Sequence, residues 1–64
     1  MRIQHPDGRI EECQVKGRTI EEIILQSGVN PLEVLISRGD EIIPEDTIAD
    51  ESDTIRLIRI SHGG

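Results

Sequence analysis

Thr54-Ile55-Arg56-Leu57-Ile58-Arg59-Ile60 is the stretch that decides the fold of this 64-residue chain. Read at the two-residue period of a strand, it turns Ile55 and Leu57 to one face and Arg56, Ile58 and Ile60 to the other. Apolar side chains on both faces predict a central strand, paired along both edges. The run leads into Ser61, His62, Gly63 and Gly64. Glycine has no Cβ, so a diglycine ending can enter a slot that any larger residue would block, and it leaves a terminal carboxylate free of neighbouring side chains. Such a carboxylate becomes an electrophile once ATP converts it to a mixed anhydride, open to a thiolate, persulfide or amine. The competing reading is a frayed terminus without a role.

Working back from that strand, the remaining elements are short. Arg2-Ile3-Gln4 reads as a first strand, ended by the turn residues His5-Pro6-Asp7-Gly8. A second strand is expected over residues 10–16, with Cys13 and Val15 inward and Glu12, Gln14 and Lys16 outward. Thr19-Ile20-Glu21-Glu22 is a capping box, and Ile20, Ile23 and Ile24 follow at helical spacing, so a helix is predicted over about residues 20–27. Gly28 suits the left-handed residue after it, with Val29 as the apolar contact beyond. Pro31 sets a new direction after Asn30. Residues 33–37 then read as a third strand, with Val34 and Ile36 inward and Leu35 outward. Arg38-Gly39-Asp40 forms a hairpin turn, a reading preferred to its likeness to an adhesion tripeptide. Residues 41–43 make a short fourth strand closed by Pro44. Residues 44–53 are polar and turn-rich, with Thr47-Ile48 as the expected anchor into the core. A local hairpin plus a last strand that needs two neighbours is solved by inserting that strand beside the first. The expected fold is α+β, a mixed sheet of about five strands rolled around one helix. Its boundaries are a domain over residues 1–60 and a flexible diglycine tail over 61–64.

Composition narrows the function. Hydrophobic residues are 34% of the chain, twelve of them isoleucine, and aromatic residues are absent. A core of β-branched aliphatics suits a sheet, a domain this small has no room for a deep pocket with a catalytic shell, and stacking on nucleic-acid bases is excluded. A net charge of −6 argues against direct nucleic-acid or anionic-membrane contact; it suits solubility or a basic groove on a partner equally. Cys13, the one cysteine, can form no internal disulfide and is expected to be a small buried hydrophobe. No leader or membrane-spanning run is read, which makes the cytoplasm the default compartment. His5, His62 and Cys13 lack metal-ligand spacing, so neither a metal nor a cofactor is expected. His62 is read as a solvated tail residue.

The arrangement resembles the ubiquitin-like β-grasp proteins, and is most similar to the small archaeal ubiquitin-like modifiers and the bacterial sulfur carriers of the ThiS and MoaD type. The resemblance covers nearly the whole chain. Its most specific stretches are Asn30-Pro31-Leu32-Glu33-Val34, Ile43-Pro44-Glu45-Asp46, and the final strand running into Gly63-Gly64. Among these, the archaeal modifier that also serves tRNA thiolation looks nearest. The resemblance implies a protein co-substrate, not an enzyme. Gly64 would carry the activated carboxyl, first as an acyl-adenylate made by an E1-like adenylating enzyme with ATP. It would then become a thiocarboxylate, handed to a sulfurtransferase or tRNA-thiolation enzyme, or an isopeptide on target-protein lysines. Gly63 would keep the tail thin. Related tails often place a basic or aromatic residue near the diglycine, where this chain has Ser61 and His62. The thiamine and molybdopterin pathways are not separated by these residues.

Two functional classes remain, the activated co-substrate and a ubiquitin-like interaction module whose diglycine is incidental. Leu35, Ile58 and Ile60, flanked by Arg56, are expected to form an exposed aliphatic docking patch. Lys16, the one lysine, is the possible acceptor for self-conjugation, with an ordinary surface charge as the alternative.

Overall fold

A computed structural model describes residues 1–60. Five strands form one mixed sheet: β1 (Arg2–Gln4), β2 (Ile10–Glu12), β3 (Val34–Arg38), β4 (Glu41–Ile43) and β5 (Thr54–Arg59). Their order is β2-β1-β5-β3-β4. β5 is central, as its two apolar faces require. It runs parallel to β1, with Ile3 opposite Ile55, and antiparallel to β3, with Leu35 opposite Ile58. Both outer pairs are antiparallel hairpins. The one α-helix, α1 (Ile20–Gln26), packs on a single face of this sheet.

The helix is set by its ends. Thr19 Oγ1 accepts from the Glu22 N–H while the Glu22 carboxylate accepts from the Thr19 N–H, closing the capping box. Two further N–H groups of the first turn, those of Ile20 and Glu21, donate to the carbonyls of Thr47 and Glu45, so the 44–49 segment satisfies donors that the helix itself cannot. At the other end Gly28 takes φ +85°, its N–H donates to the Leu25 carbonyl and the Val29 N–H donates to that of Ile24. This is the double closure that a left-handed glycine allows.

Ile20, Ile23 and Ile24 of the helix meet Ile3, Ile36, Ile43, Ile55 and Leu57 of the sheet in one buried cluster. Six side chains, all Ile or Leu, are fully buried there. Removal of that apolar surface from water is the main force holding the two layers together. Among the described residues no helix is long and apolar enough to cross a membrane.

Three local expectations are corrected. β2 ends at Glu12 rather than Lys16. Cys13 still exchanges hydrogen bonds with Met1, but Lys16 and Gly17 then adopt φ +50° and +72° and the Arg18 N–H donates back to the Val15 carbonyl. A left-handed pair makes a tight turn and cannot continue a strand. Pro31–Glu33 forms a single 3-10 turn capped by the Asn30 side chain, so β3 starts at Val34. In the 44–53 segment the core anchor is Ala49, which is buried. Ile48 is 61% exposed and contributes only a backbone bridge to Thr19.

Candidate functional site

The helix covers one face of the sheet and leaves the other open. Register determines what that open face presents, because paired residues share a face. One row crosses all five strands, Ile10, Gln4, Arg56, Ser37 and Ile42 in order. The next row pairs Ile58 with Leu35. Leu35 is 44% and Ile58 39% exposed, with Arg56 exposed beside them. Three residues of the expected docking patch are thus brought together.

Ile60 is different. It lies one residue past β5, half-buried, with its N–H on the Glu33 carbonyl. Ile10 and Ile42, at opposite edges of the same face and more than half exposed, were not anticipated as part of the patch. Both fall on the outward parity of their strands, a signal that alternation alone could have supplied. Ser37, although on this face, is buried between Arg56 and Ile42, and its hydroxyl donates to the Gly39 carbonyl at 2.8 Å.

Lys16 is exposed as expected, but at a turn tip and not on a strand. It borders a groove between the end of the first hairpin and α1, together with Cys13, Arg18 and Ser27, away from the sheet patch. The Arg18 side chain holds that groove's wall by donating to the carbonyls of Val15 and Gln14 and to the Gln26 side chain. Gly63, Gly64 and His62 lie outside the described residues.

Sequence reasoning missed a polar chain beneath the first hairpin. His5 was read as a turn residue, yet its side chain is only 3% exposed and its Nε2 lies 2.8 Å from Glu11 Oε1. The other Glu11 oxygen accepts from Ser27 Oγ at 3.4 Å, and Ser27 Oγ lies 3.8 Å from Cys13 Sγ. The His5 hydrogen bond, opposed by partial burial and assisted by the charges of His5 and Arg9, holds the Glu11 carboxyl below its ordinary range. A buried imidazole facing a carboxylate in this way fastens the β1–β2 turn and connects it to the helix C-terminus. Cys13 packs half-buried against the core and is a free thiol. Among the described residues no group of three His, Cys, Asp or Glu side chains is disposed to hold a metal ion.

The site is therefore a surface. It offers aliphatic contact and arginine charge on the open face of the sheet, with the central strand leading out of it. No protein-family model matches the chain, and no curated protein matches it in sequence.

Proposed function

We propose that this chain is a ubiquitin-like protein of the β-grasp type that serves as a protein modifier, a sulfur carrier, or both. The observation that carries the reading is the sheet order β2-β1-β5-β3-β4, two hairpins joined through a central last strand parallel to the first, with one helix across a single face. In that arrangement the strand that reads into Gly63 and Gly64 is also the strand that displays Arg56 and Ile58, so docking and delivery of the tail are coupled through one rigid element. A chain of four residues can span roughly 13 Å when fully extended, a reach that would let a terminal carboxylate enter a partner's nucleotide site while the domain stays outside.

The chemistry follows from a free carboxylate on Gly64, which this reading requires of the working protein. An E1-like enzyme joins that carboxylate to the AMP portion of ATP and releases pyrophosphate. Hydrosulfide then displaces AMP to give a thiocarboxylate, or a persulfide displaces it to give an acyl disulfide whose S–S bond a thiol cleaves, leaving the thiocarboxylate and a disulfide; this thiocarboxylate is the donor we assign to tRNA 2-thiolation. Alternatively a target-lysine amine displaces AMP to form an isopeptide bond. The protein contributes no catalytic side chain. Its role is to be recognised through Leu35, Arg56, Ile58 and Ile60 and to present Gly64 behind the slender Gly63.

The test is ATP–pyrophosphate exchange by an E1-like enzyme from the same source. The full chain should support exchange. A chain lacking Gly64, or carrying a bulky residue there, should not, while its folding is unchanged. Exchange at the full rate with the truncated chain would refute the proposal. The second reading, an interaction module, is favoured by the breadth of the aliphatic face, which reaches Ile10 and Ile42 at the sheet edges.

A further inference from the structure

The sheet has a gap. β1 ends at Gln4, opposite Arg56, whereas β5 continues to Arg59. Among the described residues no strand pairs with residues 57–59 on that edge. The turn over residues 5–9 instead stands off from it, leaving a cleft of about 420 Å³ bordered by Gln4, Pro6, Ile10, Arg56, Ile58 and Arg59. The far wall is firmly held. The Gly8 N–H donates to the His5 carbonyl, the His5 N–H to that of Arg9, and the buried His5 ring is anchored on Glu11.

Charge is distributed unevenly along the chain. Residues 40–53 carry seven carboxylates and no Lys or Arg. Subtracting their −7 from the net −6 leaves +1 on the rest of the chain. The arginines outside that segment also differ among themselves. Arg2 is paired with Glu12, and Arg38 reaches Asp53. Among the described residues Arg56 and Arg59 make no ion pair, and both border the cleft. Among the described residues, no Asp or Glu borders the cleft. The two arginine positions, three residues apart on a strand, lie roughly 10 Å apart along its axis.

We propose that this cleft binds an extended, acidic segment of a partner protein, which adds to the open edge of β5 over residues 57–59. An aliphatic side chain of the segment would rest between Ile10 and Ile58, and carboxylates about three residues apart would meet Arg56 and Arg59. Strand addition supplies main-chain hydrogen bonds for affinity, while the side-chain pattern supplies selectivity. The charge pairing speeds encounter and rejects basic segments. The inference concerns binding alone and stands whether or not Gly64 is activated.

The experiment is an NMR titration of the full ¹⁵N-labelled chain with a capped peptide in which one leucine is flanked by two aspartates on each side. A control peptide has asparagine at those four positions. Shifts are expected at the amides of residues 4–10 and 56–59, and amide exchange at residues 57–59 should slow on saturation. Affinity should fall roughly fivefold or more in high salt, with the asparagine peptide, and in an Arg56→Glu/Arg59→Glu double variant. The variant's remaining spectrum reports that it is folded. A single-site Arg59→Gln variant, outside the proposed enzyme-docking patch, should show an intermediate loss. No shift at millimolar peptide would overturn the proposal. So would equal binding by the asparagine peptide, undiminished binding by the double variant, or shifts centred on Leu35 and Ile42 instead.

Discussion

Glu11 joins the first hairpin to the helix, and its protonation should be felt in stability. Its folded-state pKa is depressed, chiefly by the His5 hydrogen bond. The stabilisation is therefore complete above the unfolded reference near 4.3 and drains away as pH falls through the lower folded value. Asp7, held down by the Arg9 N–H, Glu22, by the Thr19 N–H, and Asp50, by the Ser52 hydroxyl, shift in the same direction. Urea midpoints should thus be flat near neutrality and fall below about pH 4. Glu11→Gln should reduce that acid slope; an unchanged slope would remove Glu11 from the account. Thr19→Ala, which deletes the helix cap, should cost about 1 kcal/mol in the same measurement. The contrast between these two residues marks what a sequence discloses. Thr19 was legible because a capping box is local, complete within four residues. The burial of His5 was not, because its partner Glu11, and the Ser27 that Glu11 also binds, come from other elements. Ala49 was overlooked in favour of Ile48 for a similar reason. Hydrophobicity ranks isoleucine higher, but the backbone bridge to Thr19 fixes which neighbour turns inward.

At the level of elements, β5 makes a prediction that separates its two faces. Ile55→Ala removes a fully buried side chain and should cost about 2–5 kcal/mol, a large share of the stability of so small a domain. Ile58→Asp alters the open face and should change the urea midpoint little, while weakening binding to the adenylating enzyme. Equal effects on folding would mean that the open face is part of the core, and unaltered affinity would count against docking there. Alternation over residues 54–59 and 34–36 made both faces readable in advance. β2 was overextended because Val15 and Cys13 continue its period, and nothing short of the left-handed turn at Lys16 and Gly17 ends it. That turn bears on Lys16 as well. If higher-mass species form, their link should map to Lys16 or to the Met1 amine, with tryptic peptides carrying a branch cut after Arg59. Species persisting in a Lys16→Arg variant with a blocked N-terminus would exclude this lysine.

For the whole molecule, the strand order was derivable because few constraints had few solutions. Two hairpins must pair locally, one strand must be central, and one helix must cover one face. The breadth of the open face was legible only in part: alternation puts Ile10 and Ile42 on the outward parity of their own strands, but the register of five strands is what joins them into one row. The functional account adds one demand to this frame, that the terminal carboxylate of Gly64 be the reactive group. The most direct test is the intact mass of the full chain after incubation with ATP, a sulfur donor and an E1-like enzyme from the same source, followed by fragmentation. The account predicts a mass gain equal to exchange of one oxygen for sulfur, confined to the C-terminal fragment that contains Gly63 and Gly64. An unchanged mass, or a sulfur gain that maps instead to Cys13, would contradict it.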